Sequence, residues 1–141
     1  MQLSKAKELM ESGDFTCVLT DGKAVYTSVL RGVRPLVQFL ENGTDLAGFC
    51  AADKVVGRAT AYLYVLLGVS AVYARIISQP AVAVLRDHGI QVEYEKIVPN
   101  IINRRGDGIC PFEAAVMEIP EPNEAYRAIL RKMQEMNIPI Q

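Results

Sequence analysis

The chain has 141 residues, half of them hydrophobic, and a net charge of −1. That is the size of one domain, with enough apolar side chains to build a core without disulfides. A pI near 5.8 lacks the basic footprint expected of a nucleic-acid-binding domain, so nucleic acid is not expected as a partner.

Taken in order, Ser4 to Ser12 reads as a helix, since Leu3, Ala6, Leu9 and Met10 recur at helical spacing, and Gly13 stops the run. Phe15 to Thr20 and Lys23 to Ser28 read as strands joined through Asp21-Gly22, a strong hairpin signal. Gly32 to Glu41 is helical, with Pro35 in its first turn and Asn42-Gly43 as its stop. The short apolar run Leu46-Ala-Gly-Phe-Cys-Ala51 predicts a strand covered on both faces. Asp53 then reads as the cap of a helix from Lys54 to Leu67, with Gly68 as its stop.

The helix–strand unit repeats. Ala71 to Ile77 predicts a buried strand, Ser78 a cap, and Pro80 the first turn of a helix that runs to His88 and closes at Gly89. Gln91 to Val98 alternates as a strand does. Pro99 to Gly108 is a polar loop, Cys110-Pro111 opens a short helix that Pro120 ends, and Pro122 to Met136 is an amphipathic helix. Alternating strands and helices imply an α/β fold, a three-layer α/β/α sandwich around a mixed, mostly parallel five-stranded sheet. No linker divides the chain, so residues 1–141 form one domain, with a core over about 14–119 and a final helix over about 122–136.

Cys17, Cys50 and Cys110 are odd in number and widely spaced, which fits a reducing, cytoplasmic compartment better than a disulfide scaffold. The N-terminal segment has charges throughout and no apolar core of a signal peptide. The run from Ala59 to Ala74 is shorter than the ~18–20 residues of a membrane span and is broken by Gly68, so no membrane partner is expected.

In open α/β sheets ligands lie beyond the carboxyl ends of the strands, beside helix N-termini. Four segments meet that condition: Ser28-Val-Leu-Arg31-Gly32, Cys50-Ala-Ala-Asp53-Lys54, Ser78-Gln79-Pro80, and the loop carrying Asn103, Arg104 and Arg105 through Cys110-Pro-Phe-Glu113. A thiol at Cys50 facing a helix start and Lys54 would be partly thiolate, with Asp53 moving a proton; equally, Cys50 is a small core residue and Asp53 a cap. Cys110 and Glu113 offer the same two readings: a nucleophile with an acid or base, or a helix start whose Glu113 bonds its own backbone. Ser28, Arg31, Ser78, Asn103 and Arg104 are candidate ligand-binding residues, the arginines for a carboxylate or phosphate. Ser78 has no histidine beside it: His88 ends the same helix, about 15 Å along its axis, which argues against a Ser–His–Asp triad. Without C-x-x-C, H-x-E or a second histidine there is no recognisable zinc set, and no phosphate-binding loop or dinucleotide fingerprint stands in for a cofactor.

The element order, with Asp53-Lys54-Val-Val-Gly57 and Cys110-Pro-Phe-Glu113, resembles a prokaryotic domain-of-unknown-function family that shares the cytidine-deaminase-like fold, over Phe15 to Ile119. The resemblance implies that fold and the place of its pocket. Zinc deaminases carry H-x-E or C-x-E at one helix start and P-C-x-x-C at the next. Here the two positions read Arg31-Gly32-Val33-Arg34 and Asp53-Lys54-Val55-Val56-Gly57, so the resemblance does not extend to the zinc mechanism.

Two functions stay open. One is a binding domain that holds a small anionic or nucleotide-like molecule through Arg31, Lys54, Arg104 and helix N-termini. The other is a metal-free thiol enzyme using Cys50 or Cys110 with Lys54, Asp53 and Glu113. No cofactor is expected in either. The apolar face of the last helix is a candidate homodimer surface, or else a cover for the rest of the domain.

Overall fold

The computed structural model describes residues 2–103 and 105–141. They form α1 (Gln2–Gly13), β1 (Cys17–Thr20), β2 (Val25–Ser28), α2 (Arg34–Glu41), β3 (Cys50–Val56), α3 (Arg58–Leu67), β4 (Ala71–Ser78), α4 (Gln79–Asp87), β5 (Gln91–Val98), α5 (Pro111–Val116) and α6 (Pro122–Glu135). The five strands make one mixed sheet in the order β2-β1-β3-β4-β5. β1 runs antiparallel to both its neighbours, and β3, β4 and β5 are parallel. The protein is therefore α/β, with six helices around a five-stranded mixed sheet.

Helices cover both faces of the sheet. On one, α1 lays Leu3, Ala6 and Met10 over Val18, Cys50, Ala52 and Tyr73. On the other, α3 is buried over most of its circumference, from Ala59 to Tyr64 and again at Leu67, as expected of a helix that is apolar all round. It has this burial because α2, α4, α5 and α6 surround it. The apolar stripe of α6, Ala125, Ile129 and Met133, is spent on this cluster. That helix thus packs this stripe against α3.

The hairpin forms at the expected place, but with a four-residue connection, because Thr20 pairs with Val25. Asp21 Oδ1 accepts the backbone N–H groups of Lys23 and Ala24, and Gly22 takes the left-handed φ of 99° that the turn needs.

The largest correction concerns β3 and α3. The sequence placed a strand over Leu46–Ala51 and a helix start at Asp53-Lys54. In the structure β3 begins at Cys50 and continues to Val56, and α3 begins only at Arg58. Asp53 is not a cap. It sits within the strand, opposite Cys17 of β1 and Ala74 of β4. β-branched Val55 and Val56 favour the extended backbone. The helix N-cap is Gly57, which has no side chain to cap with.

Candidate functional site

The carboxyl ends of β2 and β3 and the start of antiparallel β1 lie at the same edge of the sheet. There the structure encloses a cavity of about 310 Å³. β1 and the residue before it supply Cys17 and Thr16. The segment from β2 to α2 supplies Leu30, Arg31, Gly32, Val33 and Pro35. The end of β3 and the start of α3 supply Asp53, Lys54, Val55, Gly57, Ala59 and Thr60, and Ile101, Cys110, Phe112 and Glu113 close the remaining side.

Asp53 is the chemical centre of this wall. The strand pairing holds it in the sheet, and it is 9% exposed. The Tyr64 hydroxyl donates to its Oδ2 at 2.7 Å, and the Val55 backbone N–H reaches its Oδ1 at 3.4 Å. Among the described residues no cation pairs with it. Burial raises its carboxyl from 3.8 to about 7, against the opposing pull of these hydrogen bonds. Behind it, Cys17 Sγ lies 3.4 Å from the Tyr64 hydroxyl oxygen. Since Tyr64 donates to Asp53, the thiol is the donor to Tyr64, and the three side chains form one directed chain ending on the carboxyl. Burial, and then the nearby Asp53, push the Cys17 thiol well above its ordinary value. It is a proton-holding group at neutral pH, not a nucleophile.

Glu113 does something else. Its Oε1 accepts the Arg58 backbone N–H at 2.6 Å and its Oε2 that of Ala59 at 2.9 Å. It caps α3, a helix 55 positions away in sequence, and not its own helix as the sequence suggested. A carboxylate here meets two otherwise orphaned donors and the positive end of the helix. Burial still raises its pKa, offset in part by these N–H groups and the Arg58 charge. The Arg58 side chain fastens the same junction: its Nε donates to the Val116 carbonyl, and its Nη2 to the Ile119 carbonyl and to the Tyr62 hydroxyl.

The structure therefore brings Arg31, Asp53, Lys54, Cys110 and Glu113 to one cavity. Other expected residues lie elsewhere. Cys50 starts β3, the central strand, at the opposite end of the strands, packed under α1 with its Sγ 3.6 Å from Ser70 Oγ. Lys54 lies four positions further along the strand, roughly 13 Å away. The Lys54 ammonium reaches Asp14 at 3.6 Å, so the expected activation of Cys50 by Lys54 is not assembled. Ser28 Oγ accepts the Leu30 backbone N–H and Ser78 Oγ that of Ala81; Ser78 is fully buried as the cap of α4. Asn103 binds Gly106 and Asp107 within its own loop. None of these three lines the cavity. Arg104 lies outside the described residues. Among the described residues no group of three or more His, Cys, Asp or Glu side chains is placed to hold a metal ion.

Sequence reasoning did not find Cys17, Thr16, Tyr64 or Gly57. A charged Asp53 among the small and branched residues of Cys50–Val56 was the available signal of a site, but its likeness to a cap concealed the strand. Nothing local distinguishes Tyr64 from the other aromatic residues of α3; only the packing of α3 on β3 selects it.

A family model described as a domain of unknown function, DUF1893, matches residues 5–133. Among solved structures, the chain is similar to a crystal structure of a DUF1893 family protein from Thermotoga maritima. The TM-score is 0.86 at 28% identity, over 93% of this chain and 89% of that one. No curated protein matches. No helix among the described residues is long and apolar enough to cross a membrane.

Proposed function

This chain belongs to the DUF1893 family, and from that premise we propose that its cavity binds a small anionic or nucleotide-like molecule. The observation that carries this reading is the cavity itself: about 310 Å³ enclosed at the carboxyl ends of β2 and β3, with a buried, cation-free carboxyl group in its wall. Such a volume accommodates a single small ligand. Leu30, Val33, Val55 and Phe112 supply an apolar surface for a ring or chain. Arg31 is exposed and, among the described residues, has no hydrogen-bond or ion-pair partner, so its guanidinium is available to a carboxylate or phosphate at the mouth.

We read the layout as cytidine-deaminase-like. The sheet order, the antiparallel β1 and a cavity between the starts of α2 and α3 support this. The zinc of such deaminases does not fit here. The start of α2 carries Arg31-Gly32-Val33-Arg34 and that of α3 Gly57-Arg58-Ala59-Thr60, and the carboxylate that reaches α3, Glu113, has both oxygens on backbone N–H groups. We therefore assign the site to ligand recognition and derive no metal-dependent step.

Thermal-shift measurement with nucleoside monophosphates, phosphorylated metabolites, phosphate and sulfate tests the reading. Stabilisation by a nucleotide, lost in Arg31→Ala, is the expected result. No stabilisation by any of these anions overturns it.

A further inference from the structure

The directed chain behind Asp53 fixes what its carboxyl can offer the cavity. Oδ2 is occupied by the Tyr64 hydroxyl at 2.7 Å, and that hydroxyl's oxygen accepts the Cys17 thiol's hydrogen bond. Oδ1 has the long 3.4 Å contact from the Val55 N–H and, among the described residues, no side-chain partner. Of the other lining side chains, Lys54 pairs with Asp14 and Cys110 carries only a weak thiol donor. Thr16 spends its hydroxyl on the Leu30 carbonyl at 2.6 Å, and Thr60 carries a hydroxyl that can also accept. Arg58 lies behind the wall and is spent on the Val116 and Ile119 carbonyls. The cavity thus presents one buried acceptor, Asp53 Oδ1, and the Arg31 cation at its mouth.

Resting on the binding function proposed above, we propose that Asp53 determines ligand specificity by accepting an N–H of the ligand through Oδ1. The ligand class is then a small ring bearing an amide- or amidine-type nitrogen at its inner end and an anionic group toward Arg31. Burial supports the geometry, because a desolvated acceptor without a partner is costly and rejects molecules that cannot satisfy it.

Binding of this kind is linked to protons. The groups facing Asp53 are Cys17 from β1, Arg31 from the β2–α2 segment, Tyr64 from α3, and Cys110 and Glu113 from the α5 segment; Lys54 lies on its own strand, and Ala74, its β4 neighbour, has nothing to titrate. With its carboxyl near 7, Asp53 must release a proton before it accepts from an amidinium. Affinity for such a cation therefore rises by about tenfold from pH 6 to pH 8, following the ionised fraction.

Three fragments of one shape make the test: benzamide, benzamidine and acetophenone, the last with a methyl group in place of the amide nitrogen. Affinities are read by ligand-observed NMR at pH 6 and pH 8. The expected result is acetophenone about tenfold weaker than benzamide, benzamidine strengthening about tenfold from pH 6 to pH 8, and a flat benzamidine profile in Asp53→Asn. That control separates Asp53 from Glu113. The wild-type pH profile stands by itself if the variant does not fold. Acetophenone equal to benzamide, or a flat wild-type benzamidine profile, overturns the Asp53 assignment. If the nucleotide panel binds while none of the fragments does, the assignment alone is overturned. If neither panel nor fragments bind, the binding function falls with it.

Discussion

The carboxyl group of Glu113 lies where a Cβ on Gly57 would stand: an added Cβ would meet Glu113 Cδ at 2.5 Å. Gly57 has an ordinary extended backbone, φ −100° and ψ −177°. Its glycine therefore serves the close approach of another element rather than an unusual conformation. Gly57→Ala would push the carboxylate off α3, and Glu113→Ala would remove the cap outright. Each is expected to destabilise the fold by about 1–2 kcal/mol in urea unfolding, the cost of a lost helix cap. The double variant is expected to lose less than the sum, because both changes remove the same two hydrogen bonds. Strict additivity would show that the two residues do not share them.

Asp53 gives a pH dependence of known sign. Its carboxyl rises from 3.8 to about 7 on folding, so the folded state holds the proton more firmly than the unfolded chain. The stability this contributes is complete below 3.8 and is lost as pH rises through about 7. Asp53→Asn cannot ionise and should gain on the wild type by roughly 3 kcal/mol between pH 5 and pH 8. Chemical denaturation of both proteins at the two pH values measures it; parallel profiles would contradict the assignment.

Tyr64→Phe removes the hydroxyl that donates to Asp53 at 2.7 Å. That bond lowers the Asp53 carboxyl against the effect of burial, so its midpoint is expected to move above 7, visible by carboxyl carbon NMR. Stability at pH 8 should fall by about 1–3 kcal/mol, the value of a buried hydrogen bond to a charged acceptor. A midpoint that stays in place would mean that Tyr64 does not donate to Asp53.

The three thiols should differ in access. Cys17 and Cys50 are 2% and 7% exposed, whereas Cys110 is half-buried and lines the cavity; Cys17 also lines the cavity, but burial holds its thiol protonated. Iodoacetamide should label Cys110 first in the folded protein and reach the other two only on unfolding, as read by peptide mass spectrometry. A ligand in the cavity should slow the labelling of Cys110.

Most elements were legible because their signals are local. β5 lies at Gln91–Val98 as its alternation predicts, and α4 is capped by Ser78 with Pro80 in its first turn. The β3–α3 junction was not legible, because the group that ends the uncertainty, Glu113, is far away in sequence. The same holds for the candidate site: Arg31, Asp53, Lys54, Cys110 and Glu113 could be nominated as chemically able residues near strand ends. Their roles could not be read, since Glu113 became a cap and Lys54 turned to Asp14.

By itself the sequence determined an α/β chain with an opening hairpin, parallel strands to follow, and no recognisable zinc motif, because periodicity, turn residues and motif spacing are properties of neighbours along the chain. Only the tertiary structure decided that Asp53 would be a buried strand carboxyl held by Tyr64, with Cys17 behind it, and that Cys50 would lie at the other end of the central strand, under α1. Burial and hydrogen-bond partnership set the protonation of a side chain, and both depend on elements that sequence proximity does not bring together.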